Sequence, residues 1–431
     1  MKTTADFQIG KTIDVSSAQG SRDFTGEQTV PARLDIAAAS GGPSRRNDLD
    51  WLRVIAFAVL IYFHTAILFQ PSGIPNILNP EASPALGIFV TFSHQFRLAL
   101  LFLVSGMGVR FALQHKSGAA YLAERSRRLL IPLLFGIAVI TPPMIFFEKR
   151  YNGAFQGDFL DFYPAFFTSG VYPDGHLSWH HFWFIAYLYL FCLITWPLFR
   201  HWLGAGAIKL EGIADWLAHG GRLYWIAALL LIVELPLRPI FPGFRDLISD
   251  WASFAHWLIV FTVGFIMAHQ PRLIDRCRDL RWLSFIIGVL ASVLLFHLYY
   301  DEAAMGFVLA TEPTIRNALL YIVFSILRMI AVWAWLMTCV GFAARHLNRP
   351  TRTLTYLNGA IYPLFCLHLT VIVALAYVIL PTGLSTMAKF LLITTGTFAI
   401  CLALYEGVIR RVRWIGPLFG ARSAPSRARL I

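Results

Sequence analysis

The sequence predicts an all-α fold, a polytopic membrane bundle of about ten transmembrane helices with both termini cytoplasmic. Of its 431 residues 57% are hydrophobic and only 14% charged, which is a poor fit to a soluble chain. The apolar residues gather in ten runs near the length of roughly 20 residues at which a helix crosses a bilayer. The basic residues that make the net charge +12 lie in short clusters between those runs. That scatter sets orientation and does not describe a nucleic-acid surface, so no nucleic-acid partner is expected.

Residues 1–46 are polar, rich in Ser, Thr, Gly and Ala, and lack the apolar core of a signal peptide, so they read as a disordered cytoplasmic tail. The transmembrane domain follows over 47–415, and 416–431 reads as a short basic cytoplasmic tail. The ten runs are 51–69, 86–110, 129–147, 182–199, 223–237, 252–268, 283–299, 318–342, 355–380 and 390–409. An even number returns the chain to its starting side. Segments on the side of the termini hold 23 basic residues near the spans and the opposite loops six, so the positive-inside rule makes the former side cytoplasmic.

The first run, "DLDWLRVIAFAVLIYFHTAILF", carries Arg53 and His64. Eleven positions at about 100° each make three turns plus roughly 20°, so the two side chains share one face, about 16 Å apart along the axis. Ionisable residues within spans cost about 2.5–3.5 kcal/mol or more, face the bundle interior and mark function. Arg97 stands toward the outer end of the second run, before "LLFLVSGMG", where Ser105 and Gly106 let helices approach closely. Arg125, Arg127 and Arg128 gather where the third run begins, as topological anchors or as a phosphate clamp. Arg328 falls near the middle of the eighth run, His368 midway along the ninth, five residues after Pro363, which is expected to kink that helix, and Glu406 near the end of the tenth.

Each of these has a plainer reading. Arg53 and Arg97 could snorkel to headgroups, Arg328 could pair with a buried acid, and His64 and His368 could be satisfied core histidines. The loop "YPDGHLSWHHFWF" places His176, His180 and His181 near one another, but no reliable third ligand is evident and an interfacial aromatic belt is the stronger reading, so no metal is expected. Four of the five cysteines lie in apolar runs and Cys277 in a cytoplasmic loop, which indicates neither disulfides nor zinc.

Taken in order, these residues resemble the acyltransferase type 3 family of integral membrane proteins, in particular its glucans biosynthesis protein C branch. The resemblance covers 48 to about 420 and rests on Arg53-x10-His64, "QFRLALLFLVSG", Arg125-x-x-Arg128 before "IP", "HFWF" from His181, "YLNGAIYPLFCLH" ending at His368, and "LYE" ending at Glu406. It implies transfer of an acyl group from cytoplasmic acyl-CoA, succinyl-CoA or acetyl-CoA, to a hydroxyl of an extracytoplasmic carbohydrate in a bacterial inner membrane, with no tightly bound cofactor. It marks His64 and Arg53 as the catalytic pair and Arg125 and Arg128 as donor contacts. Arg97, His181, Arg328, His368 and Glu406 remain substrate or structural candidates. The sequence departs from the family pattern at "HFWF" in place of "HLWF", at Phe365 where a tyrosine is common, and in the added His176 and His180.

In the mechanism that fits, His64, with an ordinary value near 6.5, is neutral and takes the proton of the acceptor hydroxyl. Arg53 then holds the donor, and transfer is direct, with acyl-histidine as the other route. The competing class is a transporter or flippase for a sugar or lipid-linked glycan, which also needs many helices, buried charges and a cavity.

Overall fold

The computed structural model describes residues 46–70, 77–113, 116–243, 245–300 and 314–421. The tail read at 1–46 thus lies outside the described residues except for Arg46, and so does the end of the basic tail beyond 421.

Among the described residues the chain is helical, with no β-sheet and only one isolated bridge, between Val171 and Leu177. Nine helices among the described residues are long and apolar enough to cross a membrane. In chain order the elements are α1 (Asn47–Ile67), α2 (Pro84–Leu113), α3 (Gly118–Tyr151), the short helix α4 (Phe159–Thr168), α5 (His180–Trp202), α6 (Ala207–Ala218), α7 (Arg222–Leu237), α8 (Trp251–His269) and α9 (Pro271–Asp279). They continue with α10 (Arg281–Tyr300), α11 (Ile315–His346), α12 (Arg352–Ile379) and α13 (Thr386–Ile409). The fifth apolar run differs from the other nine. It is α7 alone, and it counts as a tenth span only together with α6, from which it turns by 111°. The turn is made at Gly220 and Gly221, where Gly220 adopts φ +56°, a conformation open to glycine at little cost.

Local signals start the helices where the sequence supplies them. Ser83, Ser117, Thr314, Thr351 and Ser385 each accept a hydrogen bond from a backbone N–H in the first turn of the helix that follows. Within α3, π-helical turns at Ser126–Leu130 and Gly136–Ile140 precede Pro132 and Pro142, which have no N–H to return to the preceding turn. The Ala138 carbonyl that Pro142 leaves free accepts the Tyr163 hydroxyl at 3.0 Å.

Packing is closest between α2 and α8. A Cβ on Gly106 would meet the Phe261 carbonyl, and one on Gly264 would meet the Leu103 carbonyl, so each backbone lies against a glycine of the other. α1 is held by α2, α11, α12 and α13, which places its polar face inside the bundle. α10 turns Trp282, Ile286, Leu290 and Val293 outward, as a helix facing lipid does. After α13 a short turn, Gly416–Phe419, folds back so that Phe419 packs edge-on against Phe135 of α3 at 5.3 Å. Residues 416–421 are therefore an ordered part of the bundle.

Candidate functional site

Three imidazoles from three helices meet in the interior. His64 comes from α1, His181 from the first turn of α5 and His368 from the middle of α12. The ring centroids of His64 and His368 are 5.3 Å apart and those of His181 and His368 5.1 Å. The chain enters α5 through His180, which sits at φ +38°, so His180 turns toward Tyr172, 5.1 Å away, while His181 turns inward. His181 and His368 are each fastened to the backbone of α12. His368 Nδ1 donates to the Phe365 carbonyl at 2.7 Å and His181 Nε2 to the Cys366 carbonyl at 3.1 Å. His368 is fully buried and His181 nearly so, whereas His64 is only half-buried.

Arg97 lies beside this cluster. It is 2% exposed, its guanidinium carbon stands 3.1 Å from the centroid of the Phe63 ring, and its Nε and Nη1 have no hydrogen-bond partner among the described residues. Phe63 also lies 5.9 Å from His94. Arg245 reaches over Trp183 at 5.0 Å, and its backbone N–H donates to Asp250, which also accepts the Tyr187 hydroxyl at 2.8 Å.

Arg53 is not part of this cluster. It lies nearer the other end of α1, with Asp50 at 3.4 Å and Asn358 of α12 at 3.3 Å, in keeping with the long axial separation from His64. Its Nη2 lies beside Gly108, 3.4 Å from where a Cβ would stand. Arg125 and Arg128 are at the same end. Arg125 packs over Tyr121 at 5.2 Å and Arg128 is 3.8 Å from Glu124, which also pairs with Lys116. Tyr362 lies within electrostatic reach of both arginines, and its buried hydroxyl has no partner among the described residues. From there α12 carries a line of rings inward, with Tyr362 stacked on Phe365 at 6.3 Å and Phe365 5.7 Å from His368. The arginine end and the imidazole cluster thus lie along one face of α12.

The remaining candidates lie elsewhere. Arg328 donates to Glu234 of α7 at 2.7 Å, and Arg238 binds the same carboxylate at 2.8 Å, with His256 4.0 Å away. Glu406 pairs with Arg410 at 2.9 Å on the surface. In the loop between α4 and α5, burial pushes the His176 imidazole below its ordinary value and raises the Tyr172 hydroxyl, with the Glu148 carboxylate adding to the latter. His176 packs on Phe162 at 4.9 Å, so His176, His180 and His181 diverge. Among the described residues no three His, Cys, Asp or Glu side chains are placed to hold a metal ion.

Glu234, Arg245 and His94 were not singled out from sequence. Glu234 left a signal, being the one acid in the fifth apolar run and four residues before Arg238. His94 left the same signal as His64, an ionisable residue within an apolar run, whereas Arg245, in a loop, left none.

Residues 46–406 match the family model described as an acyltransferase domain. No curated protein and no solved structure matches the chain. A match that spans most of the sequence, on a bundle of membrane-length helices whose polar residues converge inside, makes this chain a membrane acyltransferase of the acyltransferase type 3 family.

Proposed function

We propose that the protein moves an acyl group, succinyl foremost, from cytoplasmic acyl-CoA to a hydroxyl of an extracytoplasmic glucan, across a bacterial inner membrane in which both termini are cytoplasmic. The observation that carries this reading is the line from Arg125 and Arg128 through Tyr362 and Phe365 to the imidazoles of His368, His181 and His64. Guanidinium groups pair with phosphate, so Arg125, Arg128 and Arg53 receive the CoA phosphates at the cytoplasmic mouth. The thioester arm extends along the ring-lined face. The acceptor enters from the opposite side, past Trp179, whose flat ring suits a sugar face.

His64 is the general base. The acceptor oxygen attacks the thioester carbon and His64 takes its proton. The tetrahedral intermediate then collapses, the C–S bond breaks, and the thiolate leaves and is protonated to CoA. A positioned base contributes about 10²–10⁴-fold. Arg97, a buried cation beside His64 whose Nε and Nη1 have no partner among the described residues, is suited to the negative oxygen of the intermediate. No covalent intermediate is needed.

The test is transfer of radiolabelled succinyl and acetyl from their CoA thioesters to periplasmic glucan in inverted vesicles, with wild type and His64→Ala. Label on the glucan that is lost in His64→Ala at equal membrane level supports the reading and identifies the donor. Intact acyl-CoA with both donors, while glucan crosses the membrane, would favour the transporter.

A further inference from the structure

The carbonyl contacts of the imidazole cluster fix where its protons are. A carbonyl oxygen only accepts, so the proton of His368 is on Nδ1, facing Phe365, and that of His181 is on Nε2, facing Cys366. In the neutral rings His368 Nε2 and His181 Nδ1 are then bare lone pairs, and both are buried with no hydrogen-bond partner among the described residues. His368 is the middle ring of the three. His64 of α1 and His181 of α5 flank it, Arg97 of α2 lies beside His64, and the edge of Phe57 closes it off at 5.7 Å. It is fully buried, so His64 is the more exposed of the two rings.

We propose that His368 is a proton relay behind His64, a role that rests on the acyl-transfer reading above. As the acceptor oxygen bonds the thioester carbon, its proton goes to one nitrogen of His64, and the proton on the other nitrogen of His64 passes to His368 Nε2. His368, now protonated on both nitrogens, still donates to the Phe365 carbonyl, a dipole already aimed at the charge that develops. When the C–S bond breaks, the proton returns by the same two steps to the leaving thiolate. Alcohol and thioester become ester and thiol, with no net change on the protein. His368 is thus a positioning and relay residue, and His64 remains the group that touches the substrate.

The experiment compares wild type, His368→Asn and His368→Gln in inverted vesicles that enclose glucan and are supplied from outside with radiolabelled succinyl-CoA. Asparagine keeps an N–H at the position of Nδ1, and with it the bond to Phe365, but has no group at the position of Nε2. Glutamine puts at that position an oxygen that accepts a hydrogen bond but does not relay a proton. The expected result is a kcat lowered about 100-fold in both, with KM for succinyl-CoA within about twofold of wild type. The solvent deuterium isotope effect should fall from that of two protons in flight to that of one. Near-normal kcat in His368→Asn overturns the relay, and so does recovery in His368→Gln, which would leave His368 a hydrogen-bond acceptor only. If one variant is absent from the membrane, the other decides. A wild type that transfers no label overturns the acyl-transfer reading and the relay with it, whereas active variants beside an active wild type overturn the relay alone.

Discussion

At the scale of single residues, the buried charges fall into two groups with different consequences. Glu234 is 1% exposed and accepts from both Arg238 and Arg328, so replacing it leaves two guanidiniums without their shared carboxylate in a site of low dielectric. Glu234→Gln is expected to cost about 3–5 kcal/mol, whereas Arg328→Met, which leaves Glu234 paired with Arg238, should cost less; thermal unfolding in detergent measures both. Equal losses would mean that the cluster does not share the carboxylate as the geometry indicates. Arg53, Arg125 and Arg128 are partly exposed at the mouth of the bundle, so their loss should be felt in donor binding. Arg128→Ala and Arg53→Ala are each expected to raise KM for acyl-CoA by roughly tenfold, the equivalent of one charge-assisted hydrogen bond, with a smaller change in kcat. Initial rates over a range of succinyl-CoA concentrations check this. A fall in kcat alone would assign these residues to the chemical step.

Between elements, the tightest constraint is the reciprocal seating of α2 and α8. Because a Cβ at Gly106 or Gly264 meets a backbone carbonyl and not the end of a flexible side chain, the clash can be relieved only by moving a helix. Gly106→Leu should abolish folded protein, read as loss of the monodisperse peak in size-exclusion chromatography, while Gly87→Ala, with nothing within 4 Å, should be tolerated. A second constraint lies at Gly420, which adopts φ +64° against the Tyr362 ring and the Arg128 carbonyl. Gly420→Ala meets both the conformational penalty, about 1–2 kcal/mol, and a steric block, and is expected to loosen the terminal turn and weaken donor binding. An unchanged KM for acyl-CoA in that variant would separate the turn from the donor site.

For the molecule as a whole, hydropathy made the bundle legible because a helix in lipid must be apolar along its full length. Nine of the ten runs became membrane-length helices. The tenth was harder to see, since the bend between α6 and α7 depends on two glycines whose conformations local composition does not specify. Helical periodicity put Arg53 and His64 on one face, but it carries no information about which other helices come to that face. The meeting of His181 and His368 with His64, and the pairing of Arg328 with Glu234, arise only from packing. The orientation expected from charge asymmetry alone is open to a direct check. Lys116→Cys should react with a membrane-impermeant maleimide only in inverted vesicles, and Asp174→Cys only in intact spheroplasts.

The three rings of the imidazole cluster also set an order of assembly. His64 belongs to the first helix to be inserted, His181 to a later one and His368 to a helix later still, so the cluster cannot exist until α12 has found its place beside α1. A partly inserted chain therefore holds His64 with neither imidazole neighbour. Cutting the chain in the short link between α11 and α12 would divide the site without dividing any helix, and two such pieces made together would have to find each other in the lipid before either could turn over a substrate.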